Sequence, residues 1–223
     1  MRRSILILYI LITGLLTMKA QGDIKQKIIQ AASSIKTMQC EFVQTKHVKM
    51  LNDQLVSKGK MCYQTPDKLR WEYVDPYTYT FILNGSQVQL KNSIATPHSL
   101  GENRSNVIDV NQNKIFKEIA QIMVSSMVGS CLSDDKNFRT SITKTSTEYV
   151  ASMLPLKKQM KQLFQRIVLH FPIASPHSQR EKGRMNSVVS KVELIEKNGD
   201  RTIIDLKHIR LNETIRSDQF AIR

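Results

Sequence analysis

The chain has 223 residues, 41% of them hydrophobic, 23% charged and 6% aromatic, a globular composition that excludes a disordered or collagen-like chain. Its 33 Lys and Arg outnumber 19 Asp and Glu, for a formal net charge of +14. Taken alone, that balance points to nucleic acid or an anionic membrane surface.

The N-terminus argues against nucleic acid. Met1-Arg2-Arg3 is a short positive region, Ile5 to Leu16 is an almost unbroken apolar run, and Met18-Lys19-Ala20 precedes Gln21 as a cleavage site. This is the pattern of a secretory signal peptide over residues 1–20. The run falls short of the ~20 residues that span a bilayer. Met at the minus-three position fits poorly, which leaves a retained anchor as the alternative. Removal of residues 1–20 leaves 30 basic and 19 acidic residues, a charge of +11. Residues 21–223 are therefore expected as one soluble, exported, monomeric domain, for which anionic lipid is a commoner partner than nucleic acid. No Cys follows the apolar run, so no lipid anchor is expected. Cys40, Cys62 and Cys131 are odd in number and lack a CxxC, so they encode neither a zinc site nor a disulfide scaffold. Cys40 and Cys62 fall on successive expected strands, either as bonded neighbours or as small core residues.

In chain order, Asp23 is a plausible N-cap, and Ile24, Ile28, Ala31, Ala32 and Ile35 recur at helical spacing, predicting an amphipathic helix over 23–36. From Met38 the period becomes two. Met38, Cys40 and Phe42 alternate with polar neighbours towards Met50, Leu51-Asn52-Asp53 turns the chain, and Leu55, Ser57, Gly59, Met61 and Tyr63 form the returning face. Thr65-Pro66-Asp67 turns again. Leu69, Trp71 and Tyr73 then alternate with Arg70, Glu72 and Val74, Asp75-Pro76 breaks the strand, and Tyr77 to Leu83 continues to Asn84-Gly85, a strong hairpin signal. Ser86 to Leu90 returns. Residues 92–112 are polar and carry no readable element or function.

A helix follows over about 112–128, with Ile115, Phe116, Ile119, Ile122, Met123 and Met127 on one broad apolar face, and Gly129 ends it. Strands are expected at 138–144 and 147–154. A short basic helix over 155–164 places Lys157, Lys158 and Lys161 outward and Leu156, Met160 and Leu163 inward. Then come 166–171, a loop through Pro172, Pro176 and Gly183, and the pair 188–196 and 201–209 joined by Asn198-Gly199. That makes about ten antiparallel strands with two or three helical pieces, an α+β domain without repeats or linkers.

No catalytic constellation is spelled out. His47, His98, His170, His177 and His208 are scattered without the i, i+4 spacing of a helical metal site, and there is no G-x-S-x-G or phosphate-binding Gly loop. Asp134-Asp135 reads as a solvated turn. No enzyme, cofactor or metal is expected.

Phe42-Val43-Gln44, Gly59, Pro66 followed by Leu69-Arg70-Trp71, Pro76 and Asn84-Gly85, in this order behind a signal peptide and one amphipathic helix, resemble the outer-membrane lipoprotein carrier protein (LolA) family. Beyond residue 90 only the layout and a closing Asp218-x-Phe220 agree. The resemblance implies an incomplete antiparallel β-barrel whose concave apolar face is covered by helices. It also implies a carrier holding lipoprotein acyl chains between an inner-membrane donor complex and an outer-membrane acceptor. Residue by residue, it places Phe42 and Trp71 on strands facing the cavity, Ile28 and Ile35 on the first helix, and Phe116 and Ile119 on the lid helix. Thr65 stands where the family's best-known member has an Arg that bonds to the lid, which puts the latch in doubt. The chain ends at Arg223 without the longer tail of some members, which puts donor docking in doubt.

Two alternatives remain open at this stage: a carrier of another lipid or glycolipid on the same fold, and a non-carrier basic scaffold using Lys157, Lys158, Lys161 and Arg166 on an anionic surface. If Trp71 lines a ligand cavity, Trp71→Ala weakens lipid uptake at modest cost in stability, and near-native melting with weakened uptake is the expected outcome; if it belongs to a filled core, the change leaves a void that costs ~3–5 kcal/mol.

Overall fold

The computed structural model describes residues 22–50, 53–92, 104–109, 114–173 and 188–222. The expected signal segment, the turn residues Leu51 and Asn52, His98, His177, Pro176 and Gly183 lie outside them. Helix α1 spans residues 22–33, three residues short of the expected end. Ile35 is therefore in the connection to the first strand, where it is still buried.

The first meander is β1 (Thr37–Val48), β2 (Asp53–Gln64), β3 (Lys68–Asp75), β4 (Tyr79–Asn84), β5 (Gln87–Asn92) and β6 (Arg104–Asp109). Helix α2 (Lys114–Val128) and a 3-10 turn, Ser130–Ser133, lead to β7 (Phe138–Lys144) and β8 (Glu148–Pro155). Helix α3 (Lys158–Leu163), β9 (Phe164–Pro172), β10 (Lys191–Glu196) and β11 (Arg201–Leu211) follow, and Ser217–Phe220 closes with a second 3-10 turn. The expected incomplete barrel is an open antiparallel sheet of eleven strands in the order β6-β5-β4-β3-β2-β1-β11-β10-β9-β8-β7. The additional strand, β6, lies within the segment read as polar and structureless. It is an edge strand with a neighbour on one side only, so nothing forces its residues into an apolar alternation.

This strand order dictates where the lid goes. β6 and β7 are the two edges, so the chain joining them must cross an open face, and that crossing carries α2. Its last turn buries Val124, Met127 and Val128 in one cluster with Cys131, Leu132, Phe138, Met153, Leu169 and Phe171. Gly129 ends α2 in the left-handed region (φ 80°), and a Cβ there would meet the Phe171 ring at 3.1 Å. From the other meander, Ile28 of α1 joins Met38, Phe42, Met61, Leu69 and Trp71 in the same cluster. One concave apolar face, roofed by two amphipathic helices, thus forms the core.

On the opposite face the sheet is polar. His170 lies between Glu148 (3.1 Å) and Glu193 (3.1 Å), and Arg201 donates to Glu193 through Nε and Nη2 (3.2 and 2.6 Å). Ile82 also points away from the core yet is only 1% exposed; the C-terminal turn with buried Phe220 lies over β3 and β4, tied by Asn84 donating to the Phe220 carbonyl (3.1 Å). The closing Asp218-x-Phe220 pattern therefore has a packing role.

The tightest point of the sheet is Gly59. It pairs with Phe42 on β1 and Tyr73 on β3, beside a bulge between Lys58 and Gly59. A Cβ at Gly59 would stand 2.1 Å from the Glu72 carbonyl oxygen and 2.3 Å from the Phe42 ring. Gly59→Ala is expected to cost about 1–3 kcal/mol, the usual range for overpacking. Chemical denaturation checks it, and an unchanged midpoint would show that the strands yield freely.

Candidate functional site

The concave face concentrates aromatic side chains on β1 to β4. The Phe42 ring lies over Gly59 and stacks on Trp71, with centroids 4.1 Å apart and planes at 28°. Tyr73 meets Phe42 edge-on at 5.2 Å and 88°, and Tyr79 continues the series at 6.2 Å from Tyr73. Contacts of this kind add about 0.5–1.5 kcal/mol each to the burial term. Strand alternation produces the row: Leu69, Trp71 and Tyr73 share the core side of β3, while Arg70 and Glu72 point outward, where Arg70 donates to Glu72 (2.8 Å).

Of the site residues read from the sequence, Ile28, Ile35, Phe42 and Trp71 come together in one buried cluster. Phe116 and Ile119 lie on α2, but their side chains are outside the described residues. Phe42 and Trp71 are each 1% exposed and Ile28 is 0% exposed. These side chains therefore fill the concave face with one another. The expectation that Trp71→Ala costs little stability is revised accordingly, because the indole contributes full packing on the stacked side.

Beyond Phe42 the same face opens into a mouth that sequence reasoning missed. Gln44, Ser57, Tyr73, Tyr77 and Tyr79 line a recess of about 250 Å3. Gln44 pairs with Ser57 one step beyond the Phe42–Gly59 pair, so the recess continues the aromatic row towards solvent. The Tyr73 hydroxyl donates to Gln44 Oε1 at 2.9 Å. Burial pushes the Tyr73 phenol up, with the neighbouring Trp71 N–H and Gln44 opposing the shift. Burial likewise raises Tyr79, with Tyr73 adding to it. The Trp71 N–H stands close enough to influence Tyr73 but makes no hydrogen bond of ordinary geometry. The mouth is amphipathic, lined by aromatic rings together with the polar Gln44 and Ser57; Tyr77 is 78% exposed. The signal was the recurrence of Tyr73, Tyr77 and Tyr79, read only as strand periodicity.

Thr65, at the place of the family latch, sits in the β2–β3 turn, where its N–H donates to the Lys36 carbonyl. The cysteines are free. Cys40 and Cys62 are on adjacent strands, but the register pairs Cys62 with Gln39 and Cys40 with Met61, so the two side chains face opposite sides of the sheet. Burial pushes Cys40 and Cys131 up to about 12, and raises the half-buried Cys62 as well. Among the described residues no group of three His, Cys, Asp or Glu is placed to hold a metal ion.

The sequence pattern of the family described as Outer membrane lipoprotein carrier protein LolA matches residues 33–223. Similar solved structures include a LolA superfamily protein of Nitrosomonas europaea (10% identity, 88% of this chain and 97% of that one, TM-score 0.44). A putative outer membrane lipoprotein-sorting protein domain of Vibrio parahaemolyticus is similar at 9% identity, over 91% and 96%, TM-score 0.41. The lipoprotein LppX of Mycobacterium tuberculosis is similar at 11% identity, over 86% and 94%, TM-score 0.40. No curated protein matches the chain.

Two outcomes follow from the packing. Trp71→Ala is expected to lose about 3–5 kcal/mol, the range for truncating a buried aromatic, and to melt roughly 10 °C early for a chain of this size; near-native melting would mean that the indole borders empty space. In the folded protein, iodoacetamide is expected to modify Cys62 before Cys40 and Cys131, since only Cys62 combines partial exposure with access to its thiolate. Peptide mass spectrometry reads the order, and Cys131 reacting first would contradict the burial.

Proposed function

Because the chain belongs to the outer membrane lipoprotein carrier protein LolA family, we propose that it carries lipoprotein acyl chains across the periplasm, from an inner-membrane donor complex to an outer-membrane acceptor. The observation that carries this reading is the concave apolar face itself: a sheet with one greasy side, roofed by amphipathic helices and opening through a tyrosine-lined mouth. The signal-peptide pattern of residues 1–20 supports export. Among the described residues no helix is long and apolar enough to cross a membrane.

In the proposed cycle the protein is closed when empty, with Ile28, Ile35, Phe42 and Trp71 packed on one another. An acyl chain enters between the sheet and α1 and α2 and replaces helix-to-sheet contacts with lipid-to-sheet contacts. Phe116 and Ile119, which the family resemblance places on the lid, belong to the same proposed surface. At ~0.8 kcal/mol per buried CH2, a chain of about fifteen methylenes is worth on the order of 12 kcal/mol against water. Release into water is then far too slow for transport, so cargo must pass between apposed apolar surfaces. The helices supply the competing contacts that keep the loaded state from becoming a trap.

Trp71 is the chain's one tryptophan, so its emission reports on this surface alone. Fatty acids brominated along the chain are expected to quench Trp71 fluorescence saturably, with little change between low and high salt, and native mass spectrometry of the exported protein is expected to show bound lipid. Absence of both quenching and bound lipid would sink the carrier reading. Lipid bound without quenching would move the site away from the aromatic row. Recovery of glycolipid or other lipid in place of triacylated lipoprotein would assign a different cargo to the same face.

A further inference from the structure

We propose that the outer face of the sheet, where α3 joins β8 to β9, is a docking surface for anionic phospholipid bilayers. It is separate from the acyl-chain site and does not rest on that reading. Leu154 pairs with Arg139 across β8 and β7, and both alternate with core residues, Met153 and Phe138. Alternation therefore turns Leu154 and Arg139 outward. There, a recess of about 470 Å3 is lined by the cations Arg139, Lys161 and Lys197 and by Leu154, Leu156 and Phe164, with no carboxylate in its lining.

Three features combine in this patch. The first is a group of cations with no carboxylate among them: Arg139, Lys161 and Lys197 line one recess that holds no Asp or Glu. The second is apolar exposure amid the cations, with Leu154 40% and Leu156 37% exposed. Leu156 was expected to face inward on a helix, but α3 begins only at Lys158, and of the three apolar residues assigned to it Met160 alone is fully buried. The third is rigidity. The Leu156 N–H donates to the Asn137 carbonyl, the Lys197 N–H to the Leu163 carbonyl, and Gln165 Nε2 to the Lys197 carbonyl.

Cations that share one recess without a carboxylate repel one another, and leucines among them remain wetted at a cost. A bilayer bearing anionic headgroups relieves both, with phosphates for the cations and the glycerol–acyl boundary for the leucines. Nucleic acid would take the cations and leave the leucines in water. The mixed chemistry thus favours a lipid surface.

The test uses the full exported chain, floated with phosphatidylcholine vesicles with and without phosphatidylglycerol. Binding is expected only to the anionic vesicles and is expected to fall as salt is raised to physiological strength, where the Debye length is about 8 Å. Lys161→Gln with Lys197→Gln, the two lysines of the recess, is expected to weaken vesicle binding roughly twenty-five-fold, at about fivefold per cation. The matched pair Lys60→Gln with Lys207→Gln removes the same charge from exposed lysines elsewhere and is expected to leave binding near the unmodified level. Leu154→Ser with Leu156→Ser is expected to weaken vesicle binding further. Equal losses from the two lysine pairs would reduce the effect to net charge and overturn the proposal. So would indifference to the leucine changes, or tighter binding to duplex DNA than to the vesicles. Melting curves verify folding, and the single changes Lys161→Gln and Leu154→Gln replace any pair that melts early. Quenching of Trp71 by brominated fatty acid is expected to persist in every patch variant, so failure of docking and failure of the carrier reading are told apart.

Discussion

An antiparallel sheet whose strands alternate apolar and polar residues has one face from which water must be excluded, and an open sheet cannot do this by closing on itself. Here the two edges, β6 and β7, lie at opposite ends of eleven strands. The chain that links them must therefore travel across the apolar face, and the segment that travels there carries an apolar stripe of its own. α2 is a lid because of connectivity before it is a lid because of composition. α1, entering from the other side, fills the rest with Ile28 and Ile35 on either side of its C-terminal end. Under the roof, Gly59 lets the Phe42 ring lie flat on the sheet. That position brings the ring into stacking distance of Trp71.

The consequence is a core held by two kinds of contact. Strand-to-strand pairs such as Phe42 with Gly59 and Trp71 with Phe81 belong to a continuous hydrogen-bonded ladder. Helix-to-sheet contacts such as those of Ile28, Val124 and Met127 have no such ladder behind them. Hydrophobic burial is non-directional, roughly 25 cal/mol per Å2 of apolar surface removed from water, so a lipid methylene satisfies the sheet about as well as an isoleucine from α1. In the proposed cycle the sheet is therefore the permanent part of the site and the helices are its exchangeable part.

Most of this architecture was legible because period two and period 3.6 leave different marks on a sequence. The meander from Met38 to Leu90, the lid helix ending at Gly129, and the Val188–Ile209 pair lie at the expected places within a few residues. The illegible parts share a physical reason: each depends on a neighbour remote in the chain. β6 escaped because its edge-strand sequence, with only Val107 and Ile108 apolar and adjacent, carries no alternation. Leu156 was assigned inward from helical spacing, but it lies in extended chain ahead of α3, anchored by the Asn137 carbonyl. Cys40 and Cys62 looked like neighbours because adjacency of strands can be read from a hairpin, whereas a one-residue difference in register decides the face. The tyrosine mouth was hidden because exposure at the end of a sheet depends on where the covering helices stop. Of the site itself, Ile28, Ile35, Phe42 and Trp71 were identified as apolar-face residues; that they fill the face with one another requires the rings in place.

Under the proposed function the two faces of the sheet divide the physical problem of carrying a lipid. On the concave side the proposed binding is apolar, insensitive to salt, and strong enough per chain that its reversal needs a competing apolar surface. On the outer side the proposed contact is electrostatic at its core, with only two leucines to insert, and is screened within a Debye length of about 8 Å. Those energies differ in a useful direction. A carrier that gripped a membrane as tightly as it grips an acyl chain would never leave it, and one that gripped cargo only electrostatically would lose it in transit. With the strong, unscreened interaction inside the fold and the weak, screened one on its rim, the proposed carrier would leave a bilayer without letting go of what it holds.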